Sequence, residues 1–85
     1  MKAKVRLFAR LSELAGTREA EVEMGEGLTA SEVYQALCGR YPALKELNGS
    51  IRYAVNGEYT EPGSPVGDGD EVALIPPVSG GADAV

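Results

Sequence analysis

The chain has no histidine, no tryptophan, one phenylalanine and a single cysteine, Cys38. Without histidine there is no Ser-His-Asp or Cys-His arrangement and no HExxH zinc motif. One cysteine closes no internal disulfide and supplies no four-cysteine zinc or iron–sulfur site. Bases are also scarce, with 8 Lys and Arg against 13 Asp and Glu. That balance argues against a nucleic-acid partner, which needs a basic patch to neutralise phosphates. No apolar run approaches the length of a membrane span, roughly 18 residues or more. Met1-Lys2-Ala3-Lys4 leads into no apolar stretch, so no secretory signal is readable and the cytoplasm is the expected compartment. An enzyme with its own acid–base machinery is not expected from this inventory.

What is present is enough for one domain: 85 residues, 44% of them hydrophobic. A chain this short buries only about 60% of its extended-chain surface, so most Val, Leu, Ile and aromatic side chains are needed in the core. Lys4 to Ala9 reads as a strand, with Val5, Leu7 and Ala9 on one face. Phe8 falls on the other face and implies that something covers part of it. Leu11, Leu14 and Ala15 follow helical spacing until Gly16. Glu19 to Met24 alternates again, setting Ala20, Val22 and Met24 against Glu19, Glu21 and Glu23. The first two strands are expected to pair antiparallel, and Gly25-Glu26-Gly27 to turn the chain.

Thr29-Ala30-Ser31-Glu32 is a capping box. The helix behind it carries Val33, Leu37 and Tyr41, flanked by Ala30, Tyr34 and Ala36, and stops at Pro42. Leu44 and Leu47 read as core plugs. Ile51 to Val55 is a strand, Asn56-Gly57 a hairpin turn, and Glu58-Tyr59 the start of the return. Thr60 to Asp70 reads as loops and Glu71 to Ile75 as the last strand. The order β-β-α-β-(β)-β fits an α+β protein of the β-grasp, ubiquitin-like type: a mixed sheet of about five strands with one main helix on one face. Residues 1–75 would form that domain and residues 76–85 an extended, mobile tail.

The charges are unevenly spread. The last base is Arg52, and residues 53–85 hold six acids, Glu58, Glu61, Asp68, Asp70, Glu71 and Asp83. Clustering of one sign suggests a basic partner surface. Other groups have plainer readings. Cys38, next to the Val33/Leu37 stripe, reads as a buried thiol. Asp68, Asp70 and Glu71 lack the spacing of a calcium loop and read as turn residues. Gly63 to Gly69 has no Lys-Ser/Thr after it and opens no helix, so it is no phosphate loop. Tyr53 and Tyr59 are expected in cross-strand or core roles.

The tail carries the most information. Pro76-Pro77 cannot donate to a sheet and stiffens the exit, while Gly80-Gly81 removes side-chain bulk, as a segment threading into a narrow pocket requires. The run from Gly67 through Glu71-Val72-Ala73-Leu74-Ile75-Pro76-Pro77-Val78-Ser79-Gly80-Gly81 closely resembles the end of the molybdopterin synthase small subunits. The opening Val5-Arg6-Leu7-Phe8-Ala9-Arg10-Leu11-Ser12-Glu13-Leu14-Ala15-Gly16-Thr17 and the Ala54-Val55-Asn56-Gly57 segment resemble them too. The likeness spans residues 4–81; outside the terminal block it fits the wider family of ubiquitin-like sulfur carriers.

That resemblance implies a mechanism in which the reactive group is a main-chain carboxylate. A partner of the ubiquitin-activating type adenylates it with ATP, and sulfur then replaces one oxygen to give a thiocarboxylate. The tail enters the large synthase subunit, where two carriers in turn supply the two sulfurs of the molybdopterin dithiolene. Gly81 would bear the sulfur, with Gly80 as its slim neighbour. Pro76, Pro77, Val78 and Ser79 would form the approach, Val78 and Ser79 lying against the partner channel. No permanently bound cofactor and no metal are implied. However, Ala82-Asp83-Ala84-Val85 follows Gly81, which therefore carries an amide rather than a carboxylate. Three readings stand: a propeptide removed by a processing protease, an artefactual extension, or a chain that keeps the fold as an interaction module or modifier. A carrier serving thiamine thiazole or tRNA thiolation is a further alternative.

Overall fold

The computed structural model describes residues 2–23, 25, 28–47 and 50–77. Met24, Glu26, Gly27 and tail residues 78–85, on all of which expectations fall, lie outside the described residues.

The first strand, β1, spans Lys2–Leu7 and alternates between exposed and buried positions throughout. Ala3, Val5 and Leu7 point inward while Lys2, Lys4 and Arg6 point out. The strand starts two residues earlier than the alternation from Lys4 predicts and ends two earlier. Its end is set at Ala9, whose φ of 50° turns the backbone away from the sheet. That conformation is sparsely populated for a residue with a Cβ. It brings the N–H groups of Leu11 and Ser12 onto the carbonyls of Phe8 and Ala9, at 3.0 Å each, and starts α1, Arg10–Ala15. Ala9 and Phe8 are therefore both exposed, and among the described residues it is the Arg6 side chain of β1 itself that lies over the Phe8 ring, with no further element covering that face. Gly16, at φ 77°, closes α1 by donating to the Ser12 carbonyl.

Strand β2, Glu19–Glu23, returns antiparallel to β1, with Lys4 opposite Glu21 and Arg6 opposite Glu19. The acidic outer face of β2 thus lies beside the basic outer face of β1, a favourable cross-strand arrangement. Next comes α2, Ala30–Arg40. Both halves of its capping box form: Glu32 N–H donates to Thr29 Oγ1 at 3.3 Å, and Thr29 N–H to Glu32 Oε1 at 2.8 Å. Its buried residues are Ala30, Val33, Tyr34, Leu37 and Cys38, a single stripe over the sheet. Ala36, expected beside that stripe, is exposed, and Tyr41 is the half-buried C-cap rather than a helical residue. Pro42, whose ring cannot continue an α-helix, opens a 3₁₀ helix, Pro42–Leu47, that buries Leu44 completely.

Strand β3, Arg52–Val55, and β4, Glu58–Thr60, form a hairpin. Its turn residues Asn56 and Gly57 have φ of 52° and 87°, as a type I′ turn demands. Strand β5, Glu71–Ile75, enters the middle of the sheet, parallel to β1 and antiparallel to β3. The strand order is β2-β1-β5-β3-β4, a five-stranded mixed sheet of the ubiquitin-like β-grasp type, with the helices on one face. The hydrophobic core lies between them: Val5, Leu7, Val72, Leu74 and Tyr53 from the sheet, Val33, Tyr34 and Leu37 from α2, Leu11 from α1 and Leu44 from the 3₁₀ helix.

The segment Thr60–Asp70 is more than connecting loop. Ala30 and Ser31 N–H donate to the carbonyls of Ser64 and Pro62, both at 2.9 Å, and Val66 N–H donates to Leu28 at 2.8 Å. With Thr29 accepting from Glu32 and Val33, every N–H of the first turn of α2 is satisfied. Val66 anchors the strap in the core at 2% exposure.

Candidate functional site

The expected site is the tail, and the fold decides where it starts. The last pair in β5 is Ile75 opposite Arg52. Pro76 and Pro77 lack the N–H that would extend the ladder, so the chain must leave the sheet there. Because β5 is the central strand, the tail departs from the middle of the sheet, flanked by β1 and β3. Pro76 is half-buried and Pro77 exposed. Val78, Ser79, Gly80 and Gly81, the remaining candidate residues, lie outside the described residues.

Around that exit the outer face has a defined chemistry. Arg6 and Arg52 lie on the two neighbours of β5, opposite Ala73 and Ile75 respectively. Ala73 and Ile75 are half-buried between them. The Arg6 guanidinium sits 5.8 Å from the centre of the Phe8 ring and 3.4 Å from the Glu71 carboxylate. Arg18 comes to the same end through the bond from Leu7 N–H to its carbonyl, 2.8 Å. Arg10, at the start of α1, is held by Glu46 at 3.2 Å and Glu13 at 3.6 Å. A shallow cavity of about 400 Å³ is lined by Arg6, Phe8, Ser12, Glu13 and Arg18. Phe8 draws notice in the sequence only as an apolar residue on the polar face, and none of these arginines is read there as part of a site. Their only signal was position, and position has meaning only once β5 is known to lie between β1 and β3.

Among the described acids of the C-terminal third, Glu58, Asp68 and Asp70 gather at the opposite end, while Glu71 reaches toward Arg6. Asp68 accepts from Lys2 N–H at 2.9 Å. Asp70 accepts from Gly67 N–H at 2.8 Å and from the Asn56 amide at 3.1 Å. Those two hydrogen bonds, Gly67 first, hold its carboxyl below its ordinary value. Asn56 also accepts from Glu71 N–H at 3.0 Å, tying the hairpin to the start of β5. These are turn and pairing roles, as read for Asp68 and Asp70. Glu58 joins the same end through the turn, whereas Glu61 lines a groove with Arg52 on the tail side.

The other side chains weighed from the sequence have structural settings. Cys38 is buried at 5% exposure beside Tyr34, whose hydroxyl donates to the Leu44 carbonyl at 2.6 Å. Burial, then the neighbouring Cys38, pushes the Tyr34 hydroxyl well above its ordinary value, and the same causes raise Tyr53. Tyr53 is in the core, but Tyr59 lies opposite Ala54 on the edge strand and is 74% exposed, so it has a cross-strand place without a core role. Among the described residues no group of three or more His, Cys, Asp or Glu is placed to hold a metal ion, and no helix is long and apolar enough to cross a membrane.

Comparison with known proteins agrees with this picture. The chain is similar to the molybdopterin synthase sulfur carrier subunit of Chlamydomonas reinhardtii, 39% identical over 83 residues covering 95% of this chain and all of the relative. Its fold superposes on the crystal structure of SAMP1 from Haloferax volcanii with a TM-score of 0.85 at 36% identity, covering 95% of this chain and all of the other. It also superposes on a chain from the protein–protein complex of subunits 1 and 2 of the molybdopterin-converting factor of Helicobacter pylori. There the TM-score is 0.64 at 26% identity, with coverage of 95% and 100%. The match of residues 5–81 to the ThiS family takes in the core, the Pro-Pro exit and both tail glycines, and the chain belongs to that family.

Proposed function

We propose that the chain is the sulfur-carrier small subunit of a molybdopterin synthase and that Gly81 is its working end. The observation that carries this reading is a ThiS-family match running through Gly81, on a fold whose central strand ends in a Pro-Pro exit. Relatives named as molybdopterin synthase sulfur carrier subunits over nearly the whole chain support it. A carboxylate is a poor electrophile until it becomes a mixed anhydride. Removal of residues 82–85 by a protease would free the Gly81 carboxylate. An adenylating enzyme of the ubiquitin-activating type would join it to the AMP of ATP with release of pyrophosphate. A sulfur donor would then displace AMP, leaving a thiocarboxylate. The large synthase subunit would receive the tail, and the carrier's own side chains need supply no acid or base.

Intact-mass measurement tests each step. The full chain is incubated with extract from its source, then with the adenylating enzyme, ATP and a sulfur donor. Loss of Ala-Asp-Ala-Val followed by exchange of one oxygen for sulfur is the expected result. An unchanged full-length mass, with a control carrier converted in parallel, would overturn the reading. Gly81→Val should abolish sulfur transfer and leave the melting temperature unaltered.

A second reading, a ubiquitin-like modifier, has its own observation in the similarity to the structure of SAMP1, a small archaeal modifier protein. It predicts isopeptide-linked conjugates of the trimmed chain with other proteins' lysines, visible as higher-mass species that resist boiling in detergent.

A further inference from the structure

Strand β2 is an edge of the sheet: it pairs with β1, and among the described residues no strand lies on its other side. Its bonding phase follows from the pair at its start. Leu7 N–H donates to the Arg18 carbonyl at 2.8 Å, so these two form a hydrogen-bonded pair. In an antiparallel ladder such pairs alternate, which makes Val5–Ala20 and Ala3–Val22 the next two. The N–H and C=O groups of Glu19, Glu21 and Glu23 therefore point outward along the open edge. A row of that kind is a template for another strand. The other edge strand, β4, has only three residues, and shortness is itself a protection.

Side chains from two other places occupy this row. Thr17 Oγ1 donates to the Glu19 carbonyl at 2.8 Å and accepts from Glu19 N–H at 3.3 Å. Arg40, the last residue of α2, donates from Nη1 to the Glu21 carbonyl at 2.6 Å. The same guanidinium stands 5.5 Å from the centre of the Tyr41 ring, which helps to hold it over the edge. A charged donor makes a stronger bond than the peptide N–H of an incoming strand. The side chains of β2 add a second obstacle. Any antiparallel pairing of two β2 strands through their outward groups sets odd position against odd position, and every odd position is glutamate. Like charges directly opposite one another oppose pairing. On the β1 side the same acids are balanced, with Arg6 opposite Glu19 and Lys4 opposite Glu21.

We propose that Arg40 and Thr17 lock the β2 edge against a second copy of this chain, which would otherwise extend the sheet there, and that the glutamate row is the second barrier. A copy arriving at the edge needs the Glu19 and Glu21 carbonyls for its own N–H groups and finds both taken. It must displace a charged donor and then hold glutamates about 5 Å from glutamates. Either obstacle suffices by itself, so the edge opens only when both are removed. Nothing in this lock depends on what the tail carries, and the carrier reading stands or falls apart from it.

The full chain and three variants are compared by sedimentation velocity at concentrations rising to about 0.5 mM, in salt near the physiological level. Arg40→Ala/Thr17→Val removes the lock and keeps the charges. Glu19→Thr/Glu21→Thr/Glu23→Thr removes the charges and keeps the lock. The parent chain and these two should stay monomeric. The five-position variant that combines them should self-associate at a concentration about tenfold or more below any onset in the others. Amide hydrogen exchange at positions 19, 21 and 23 should slow on association, which places the contact at this edge. A combined variant that stays monomeric, one that associates without protecting those amides, or a triple-threonine variant that associates as readily disproves the lock. So does association of the parent chain through this edge. Should the combined variant not fold, Arg40→Ala/Thr17→Val in about 1 M salt, where the Debye length falls to about 3 Å, takes its place. Association is then expected, and a monomer disproves the lock.

Discussion

Tyr34 offers the most direct test of how the helices are held to one another. Its ring is in the core at 2% exposure, and its hydroxyl reaches across to the Leu44 carbonyl at 2.6 Å. That bond joins α2 to the 3₁₀ helix, which follows it in the chain after Tyr41. Tyr34→Phe keeps the ring and its packing and removes one buried donor. The net loss of such a bond is about 1 kcal/mol, and a buried carbonyl left short of its partner adds to it, so the expected cost is about 1–3 kcal/mol. For a domain of this size each kcal/mol moves the melting temperature by about 4–8 °C. Urea denaturation followed by far-ultraviolet circular dichroism should show a lower midpoint with an unchanged slope.

The same substitution carries a pH signature. Burial raises the Tyr34 hydroxyl above its ordinary value of 10.0, so the folded state holds this proton more tightly than the unfolded chain. The stabilisation this represents is fully present below pH 10 and drains away as pH rises from there toward the folded-state value. Parent and Tyr34→Phe stabilities should therefore differ by a constant amount up to about pH 10 and converge above it. Tyr53, raised in the same direction, remains in both proteins and does not disturb the comparison. A variant within about 0.3 kcal/mol of the parent at pH 7, or a gap that does not narrow in alkali, would refute the assigned role of the hydroxyl.

Other outcomes follow from the same structure. Thr29→Ala removes the cap of α2 and should cost about 1 kcal/mol in urea titration, with the loss largely restored by Thr29→Ser. Val66→Ala deletes the one buried apolar anchor of the 60–70 strap and should cost about 1.5–3 kcal/mol, raising hydrogen exchange at the Ala30 and Ser31 amides before the rest of the core. Asp70 is held below its ordinary value of 3.8, so its contribution is present above that pH and is lost as pH falls through the lowered value. Asp70→Asn should accordingly flatten the acid limb of the stability–pH curve. An acid limb unchanged in the variant would mean that the Gly67 and Asn56 bonds do not matter to folding.

Much of the fold was legible locally because its signals are local. A capping box needs four consecutive residues, a type I′ turn needs Asn-Gly, and β5 is a short β-rich apolar run bounded by turn chemistry and Pro-Pro. The ends of β1 were misplaced because they depend on partners. Lys2 and Ala3 become strand only because Glu23 and Val22 lie opposite them, and Ala9 leaves the sheet through a positive φ that no alternation pattern encodes. The role of Val66 was hidden for the same reason. A lone valine between prolines and glycines looks like loop until α2 is seen to need carbonyls at its N-terminus.

The sequence by itself excluded a histidine-based catalytic arrangement and an internal disulfide. It has no histidine and one cysteine, and its informative block is a main-chain motif ending in Gly80-Gly81. It could also count charges along the chain, but charge acts through space. Only the tertiary structure decided that β5 lies between β1 and β3, which gathers arginines from positions 6, 18 and 52 around the exit of the tail and sets Glu58, Asp68 and Asp70 at the far end. Strand order is set by long-range pairing and by which faces can share a core, and neither is written in any single segment.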